Sequence, residues 1–90
     1  MDFPFEQKDI IKGVFLREFS ENVDPMELVW HQDERDRVVL VKQSRGWQIQ
    51  MDNELPLDLD EGKCYYIPKM TYHRVLKGDG PLVVQITEKE

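Results

Sequence analysis

Gly62-Lys63-Cys64-Tyr65-Tyr66-Ile67-Pro68-Lys69-Met70-Thr71-Tyr72-His73-Arg74-Val75-Leu76-Lys77 is the stretch whose reading decides the fold. Two short runs rich in aromatic and β-branched residues, Cys64–Ile67 and Tyr72–Leu76, flank turn chemistry at Pro68-Lys69. Runs of that length and composition, bounded by turn residues, read as strands. The same punctuation recurs outward in both directions, at Asp24-Pro25, Ser44-Arg45-Gly46, Asp52-Asn53, Asp60-Glu61-Gly62 and Gly78-Asp79-Gly80-Pro81. Between these turns lie further strand candidates at Gly13–Phe19, Glu27–His31, Arg37–Gln43, Trp47–Met51, Leu55–Leu59 and Leu82–Thr87.

Several runs alternate with period two, as half-buried antiparallel strands do. Trp47, Ile49 and Met51 share one face, with Gln48 and Gln50 on the other; Leu82, Val84 and Ile86 oppose Val83, Gln85 and Thr87. Leu55, Leu57 and Leu59 alternate with Pro56 and Asp58 in the same way. About eight short strands imply an all-β sandwich, jelly roll or barrel, closure of which removes exposed edges. The expected organisation over residues 1–90 is a single domain: an N-terminal arm (1–12), a barrel (13–87) and a polar tail (88–90). Phe5–Ile11 stays open between a helical turn and a strand.

Composition narrows the function classes. Twelve basic against 18 acidic residues give a net charge of −6, which opposes phosphate backbones and anionic lipid. No nucleic acid and no membrane partner is therefore expected. The one cysteine, Cys64, cannot form an intrachain disulfide, and reads as a small core residue. The start, from Met1-Asp2 onward, has no basic region followed by an apolar run, so a reducing, cytoplasmic setting is the expectation.

The stretch quoted above resembles the second motif of the cupin superfamily, in which Gly, Pro and His recur at fixed spacing. Gly62, Pro68 and His73 fall in place, while Met70 stands where the family has Gly and Lys77 where it often has Asn. Upstream, Trp30-His31-Gln32-Asp33-Glu34-Arg35-Asp36-Arg37 resembles the first motif. His31 matches its first His, Asp33 replaces the second, and Arg37 stands where a Glu is usual. The resemblance covers roughly Glu27 to Thr87. It implies a small cupin-type jelly-roll β-barrel, often dimeric, within a superfamily of metal-dependent dioxygenases, isomerases, decarboxylases and non-catalytic binding proteins.

Strand parity places His31 with Val29 and Asp33 on one face, and Arg37 with Val39 and Val41; Trp30, Val38, Leu40 and Lys42 then face outward. Three readings of the pocket stay open. In the first, His31, Asp33 and His73 form a two-histidine, one-carboxylate set suited to Fe, Mn or Zn as a divalent ion. In the second, the metal site is degenerate because a guanidinium cannot ligate a cation. Arg37, His31, His73 and Tyr72 at the mouth then hold a small, anionic ligand in the barrel interior. In the third, the pocket is a relic in a structural or accessory subunit, with Asp33 paired to Arg37; Asp36 could equally neutralise Arg37. Outward Trp30, Val38 and Leu40, with Phe3, Phe5, Ile10 and Ile11 in the arm, expose more apolar surface than one small barrel covers, so a homodimer is expected.

Overall fold

The computed structural model describes residues 3–89; Met1 and Asp2 of the expected arm, and Glu90 of the expected tail, lie outside it. Among the described residues eight strands form: β1 (Glu6–Ile11), β2 (Val14–Phe19), β3 (Arg37–Gln43), β4 (Gln48–Met51), β5 (Leu57–Asp58), β6 (Cys64–Ile67), β7 (His73–Leu76) and β8 (Leu82–Glu88). They make a five-stranded sheet in the order β1-β2-β8-β3-β6 and a three-stranded sheet in the order β5-β4-β7. Every pairing is antiparallel. No helix among the described residues is long and apolar enough to cross a membrane.

The core lies between the sheets and follows the alternation. Leu82, Val84 and Ile86 of β8 are buried with Val39 and Val41 of β3, Ile49 and Met51 of β4, and Phe15 and Phe19 of β2. Val38 and Leu40, on the other face of β3, are half-buried. Trp47 is fully buried, and its Nε1 donates to the Gly80 carbonyl at 3.1 Å. A buried indole needs that acceptor, so the turn before β8 and the start of β4 are fixed together.

Five expectations need correction. The stretch Phe5–Ile11 yields strand β1, which pairs with β2 and forms the sheet's outer edge; the expected arm thus contains a strand of the five-stranded sheet. Glu27–His31 is no strand. Asp24 accepts from Met26 N at 2.9 Å and Pro25 occupies the first helical position, so a 3-10 turn forms over Pro25–Glu27. Of the Leu55–Leu59 run only Leu57–Asp58 pairs; Leu59 is buried, whereas Leu55 and Leu57 are exposed. Pro56 has no N–H to give a ladder. Cys64 is exposed, because it opposes Leu40 on the outward face of β3. At the other end, Glu88, expected in the polar tail, is the last residue of β8.

Candidate functional site

Two residues of adjacent backbone begin the site. His31 and His73 exchange a pair of backbone hydrogen bonds, 3.0 and 2.9 Å, as an isolated antiparallel bridge at the start of β7. Residues directly opposite in such a pair put their side chains on one face. The two rings accordingly sit 4.2 Å apart between centroids. Each ring is oriented by the carbonyl two residues upstream: His31 Nδ1 lies 3.1 Å from Val29 O and His73 Nδ1 lies 2.8 Å from Thr71 O. A carbonyl only accepts, so in each ring Nδ1 carries a proton toward it, and a ring with one proton has its lone pair on Nε2.

Asp33 completes the cluster. Its carbonyl accepts from Met70 N at 2.6 Å, which ties the loop before β3 to the turn before β7. Its Oδ1 lies 3.2 Å from Arg37 Nη1, and its Oδ2 lies 3.4 Å from His73 Nε2. Burial lowers the His73 pKa below the usual histidine value, outweighing the opposite pull of the Thr71 carbonyl and Asp33. A neutral His73 then turns a lone pair toward a carboxylate oxygen that is itself buried and, among the described residues, accepts no hydrogen bond. Two facing lone pairs repel, and only a cation or a proton between them resolves the contact.

The donor set suits a divalent ion on that ground. One ligand atom from each of His31, Asp33 and His73 lies within 4.8 Å of the others. Two ligands each about 2.1 Å from one ion span at most about 4.2 Å, so loading would draw the three slightly inward. Arg37 is the counter-argument in the same site. Its Nη1 meets Asp33, while Nε and Nη2 both donate to Glu88 Oε2 at 3.1 and 2.9 Å. Arg37 and Glu88 are register partners across β3 and β8, so the sheet itself supplies the counter-ion. Asp36, an expected neutraliser of Arg37, instead accepts from Lys69 N at 2.7 Å.

Space near the cluster comes in two parts. A chamber of about 50 Å³ between the sheets is bordered by His31, His73, Val39 and Ile49, and has room for an ion with a water or two. It shares Arg17, Phe19, His31, Arg37 and Val75 with a cavity of about 590 Å³ at the mouth, whose walls include Phe3, Phe5, Leu28 and Val29. The room for an organic molecule is therefore at the barrel's mouth. The interior, the expected place, offers only the smaller chamber.

Solved structures superpose on this arrangement of strands. A cupin domain from Bordetella pertussis Tohama I superposes with a TM-score of 0.65 at 20% identity, covering 100% of this chain and 99% of that one. A cupin-2 domain containing protein from Shewanella frigidimarina NCIMB 400 gives 0.66 at 22% identity, covering 100% and 83%. The fold is that of a cupin. A DMSP lyase from Ruegeria pomeroyi DSS-3 superposes at 0.72 with 13% identity over 86% of this chain, which spans only 37% of that enzyme. No family model and no curated protein matches the sequence.

Within the cupin frame the motif residues can be placed one by one. His31, Asp33, His73 and Arg37 come together. Tyr72 does not join them: it precedes His73 in the chain, is 48% exposed, and does not line the cavity. Val29 borders the mouth but is 60% exposed, because its segment is irregular chain and strand parity does not hold there. Trp30 points away and stacks under Arg74, whose guanidinium carbon is 4.6 Å from the ring centre. Met70, at the cupin glycine position, keeps the left-handed backbone a glycine would adopt, with φ 58°. The residue that sequence reasoning missed is Arg17 of β2, which lines both chambers. Its signal was parity, since it lies between Phe15 and Phe19 on their inward face.

Proposed function

We propose that this chain is a small-molecule-binding cupin that holds a divalent transition metal on His31, Asp33 and His73. The observation that carries the reading is the buried Asp33 Oδ2, without a hydrogen-bond donor among the described residues, 3.4 Å from the Nε2 of a histidine whose Nδ1 faces a carbonyl. Backbone carbonyls on both Nδ1 atoms are the outer contacts that orient imidazole ligands. A divalent ion bound there supplies Lewis acidity and ligand positions left open toward the mouth. The chain's own residues orient the two rings, hold Asp33 through Met70 N–H, and exclude water with Phe19, Val39 and Ile49.

A second reading rests on the Arg37–Asp33 ion pair, in which the guanidinium takes the place of the metal and the pocket binds its ligand without one. Titration decides between them. Protein prepared without an affinity tag and stripped with chelator is titrated calorimetrically with Mn(II), Fe(II) and Zn(II), beside Asp33→Asn. One equivalent of metal bound by the native chain, and at least tenfold weaker binding by Asp33→Asn, supports the metal centre. No binding by the native chain, or equal binding by both, refutes it in favour of the second reading.

A further inference from the structure

Two arginines face the mouth of the barrel, and they differ in one respect. Arg37 is held between two carboxylates, Asp33 and Glu88. Among the described residues Arg17 forms no ion pair. Its Nε and Nη2 both donate to one neutral oxygen, Gln7 Oε1 of the neighbouring strand β1, at 3.3 and 2.8 Å. Its guanidinium carbon lies 3.8 Å from the centre of the Phe5 ring and 5.3 Å from that of Phe15.

Aromatic faces attract a cation but replace only part of its water. Burial accordingly pulls the Arg17 pKa down to about 10, with Arg37 adding to the fall and Asp33 and Glu88 opposing it. At that value the side chain is still charged at neutral pH. A half-buried cation with no ion-pair partner among the described residues is a site that an anion stabilises, most strongly one that presents two oxygens to the guanidinium fork. Phe3, Phe5, Phe19, Leu28 and Val75 form apolar walls, and His31 and the Asp33–Arg37 ion pair also line the mouth. Glu27 also borders it, but is exposed at the rim, where water screens its charge.

We propose that Arg17 selects the cavity's ligand, a small organic carboxylate whose charged end meets the guanidinium and whose apolar body lies along the phenylalanine walls. This names the ligand class of the cavity described under the proposed function and rests on that reading only for the cavity's use. A volume of about 590 Å³ lies within the range of small-molecule sites and exceeds what a bare inorganic anion needs. Recognition by Arg17 also leaves the ligand's body beside His31, which lines the same cavity.

The test uses metal-stripped protein, so that the outcome is independent of the metal centre. The probes are 3-phenylpropanoate and its uncharged amide, titrated against the native chain, Arg17→Gln and Arg17→Lys and followed by nuclear magnetic resonance. The native chain should bind the carboxylate at least tenfold more tightly than the amide, and the Arg17 Nε–H signal should move with the carboxylate alone. Arg17→Gln should lose that preference while still binding the amide, and Arg17→Lys should keep part of it. Equal binding of the two probes, binding of neither, or a preference that survives in folded Arg17→Gln would overturn the assignment. If Arg17→Gln does not fold, the Nε–H signal of the native chain decides. A carboxylate preference in a protein that takes up no metal would refute the metal centre and leave this assignment standing.

Discussion

Replacing Arg37 by Gln separates what the guanidinium does for the fold from what it does to the metal site. In the native chain Arg37 is 3.2 Å from Asp33 and 2.9 Å from Glu88, with its side chain 13% exposed. A guanidinium about 5 Å from a divalent ion, at an effective dielectric of about 20, opposes binding by about 6–7 kcal/mol. Glu88 lies farther out, and a carboxylate about 8 Å from the same ion returns about 4 kcal/mol. The net opposition is about 2–3 kcal/mol, and Arg37→Gln removes the larger, repulsive part while leaving the attraction of Glu88. Metal affinity should therefore rise by at least tenfold, since about 1.4 kcal/mol is a factor of ten. The metal-free variant should meanwhile be less stable by about 1–3 kcal/mol, because two partly buried carboxylates lose their partner. Calorimetric titration with Mn(II) and urea unfolding in chelator measure the two effects separately. Tighter metal binding in a weaker fold is the expected pair of outcomes. Unchanged affinity with unchanged stability would refute the claim that Arg37 competes for Asp33.

Other expectations follow from single contacts. Met70→Gly should stabilise the chain by about 0.5–1 kcal/mol in urea unfolding, because φ 58° is costly for a residue with a Cβ; destabilisation would show that the Met70 side chain is needed. Gly78→Ala should cost at least about 2 kcal/mol, because a Cβ there overlaps the backbone of Arg45 and Trp47; native-like thermal unfolding would contradict it. We propose a homodimer, with exposed Ile10, Ile11, Trp30 and Tyr66 among the surface available for it, and sedimentation equilibrium should give about twice the 10.8 kDa chain mass; a monomer at high micromolar concentration would exclude it. Because burial lowers the His73 pKa from its ordinary 6.5, the unfolded chain binds the proton first as pH falls. Metal-free protein should thus lose stability from about pH 6.5 downward, and His73→Gln should lose less over that interval.

The sequence was most informative where one face of a strand is buried. The alternations of β4 and β8 predicted which side chains form the core, and the spacing of Gly62, Pro68 and His73 was enough to name the fold. It was least informative at the edges. In β1 all six residues are exposed, so no apolar period marks Glu6–Ile11 as a strand; pairing with β2 does. Leu55 and Leu57 alternate correctly but belong to an edge with little over it, so their pattern predicted a burial that does not occur. The candidate site was legible as a set of residues and illegible as a charge balance. Arg37 could be read as opposing a metal or as a ligand hook, and nothing local in the chain indicates that Glu88, 51 positions away, would neutralise it.

That charge balance is a consequence of strand register. Arg37 faces Glu88 because β3 and β8 pair residue for residue from Arg37 to Val41 against Glu88 to Val84, and the bulge that breaks the register comes only after Val41. Moving that bulge toward Arg37 would turn the guanidinium to the other face of the sheet, since side chains alternate with period two. Asp33 would then lose its only described ion-pair partner other than His73, and the site would gain a carboxylate's full charge. Arg17 is set by the same logic from the other side, because β2 pairs with β8 with Arg17 opposite Val84. One central strand thus fixes both cations at the mouth. It gives one of them a carboxylate of its own and leaves the other, among the described residues, facing apolar walls. The metal centre and the carboxylate subsite are for that reason separable by substitution: changes at Arg37 act on Asp33, and changes at Arg17 act on the mouth.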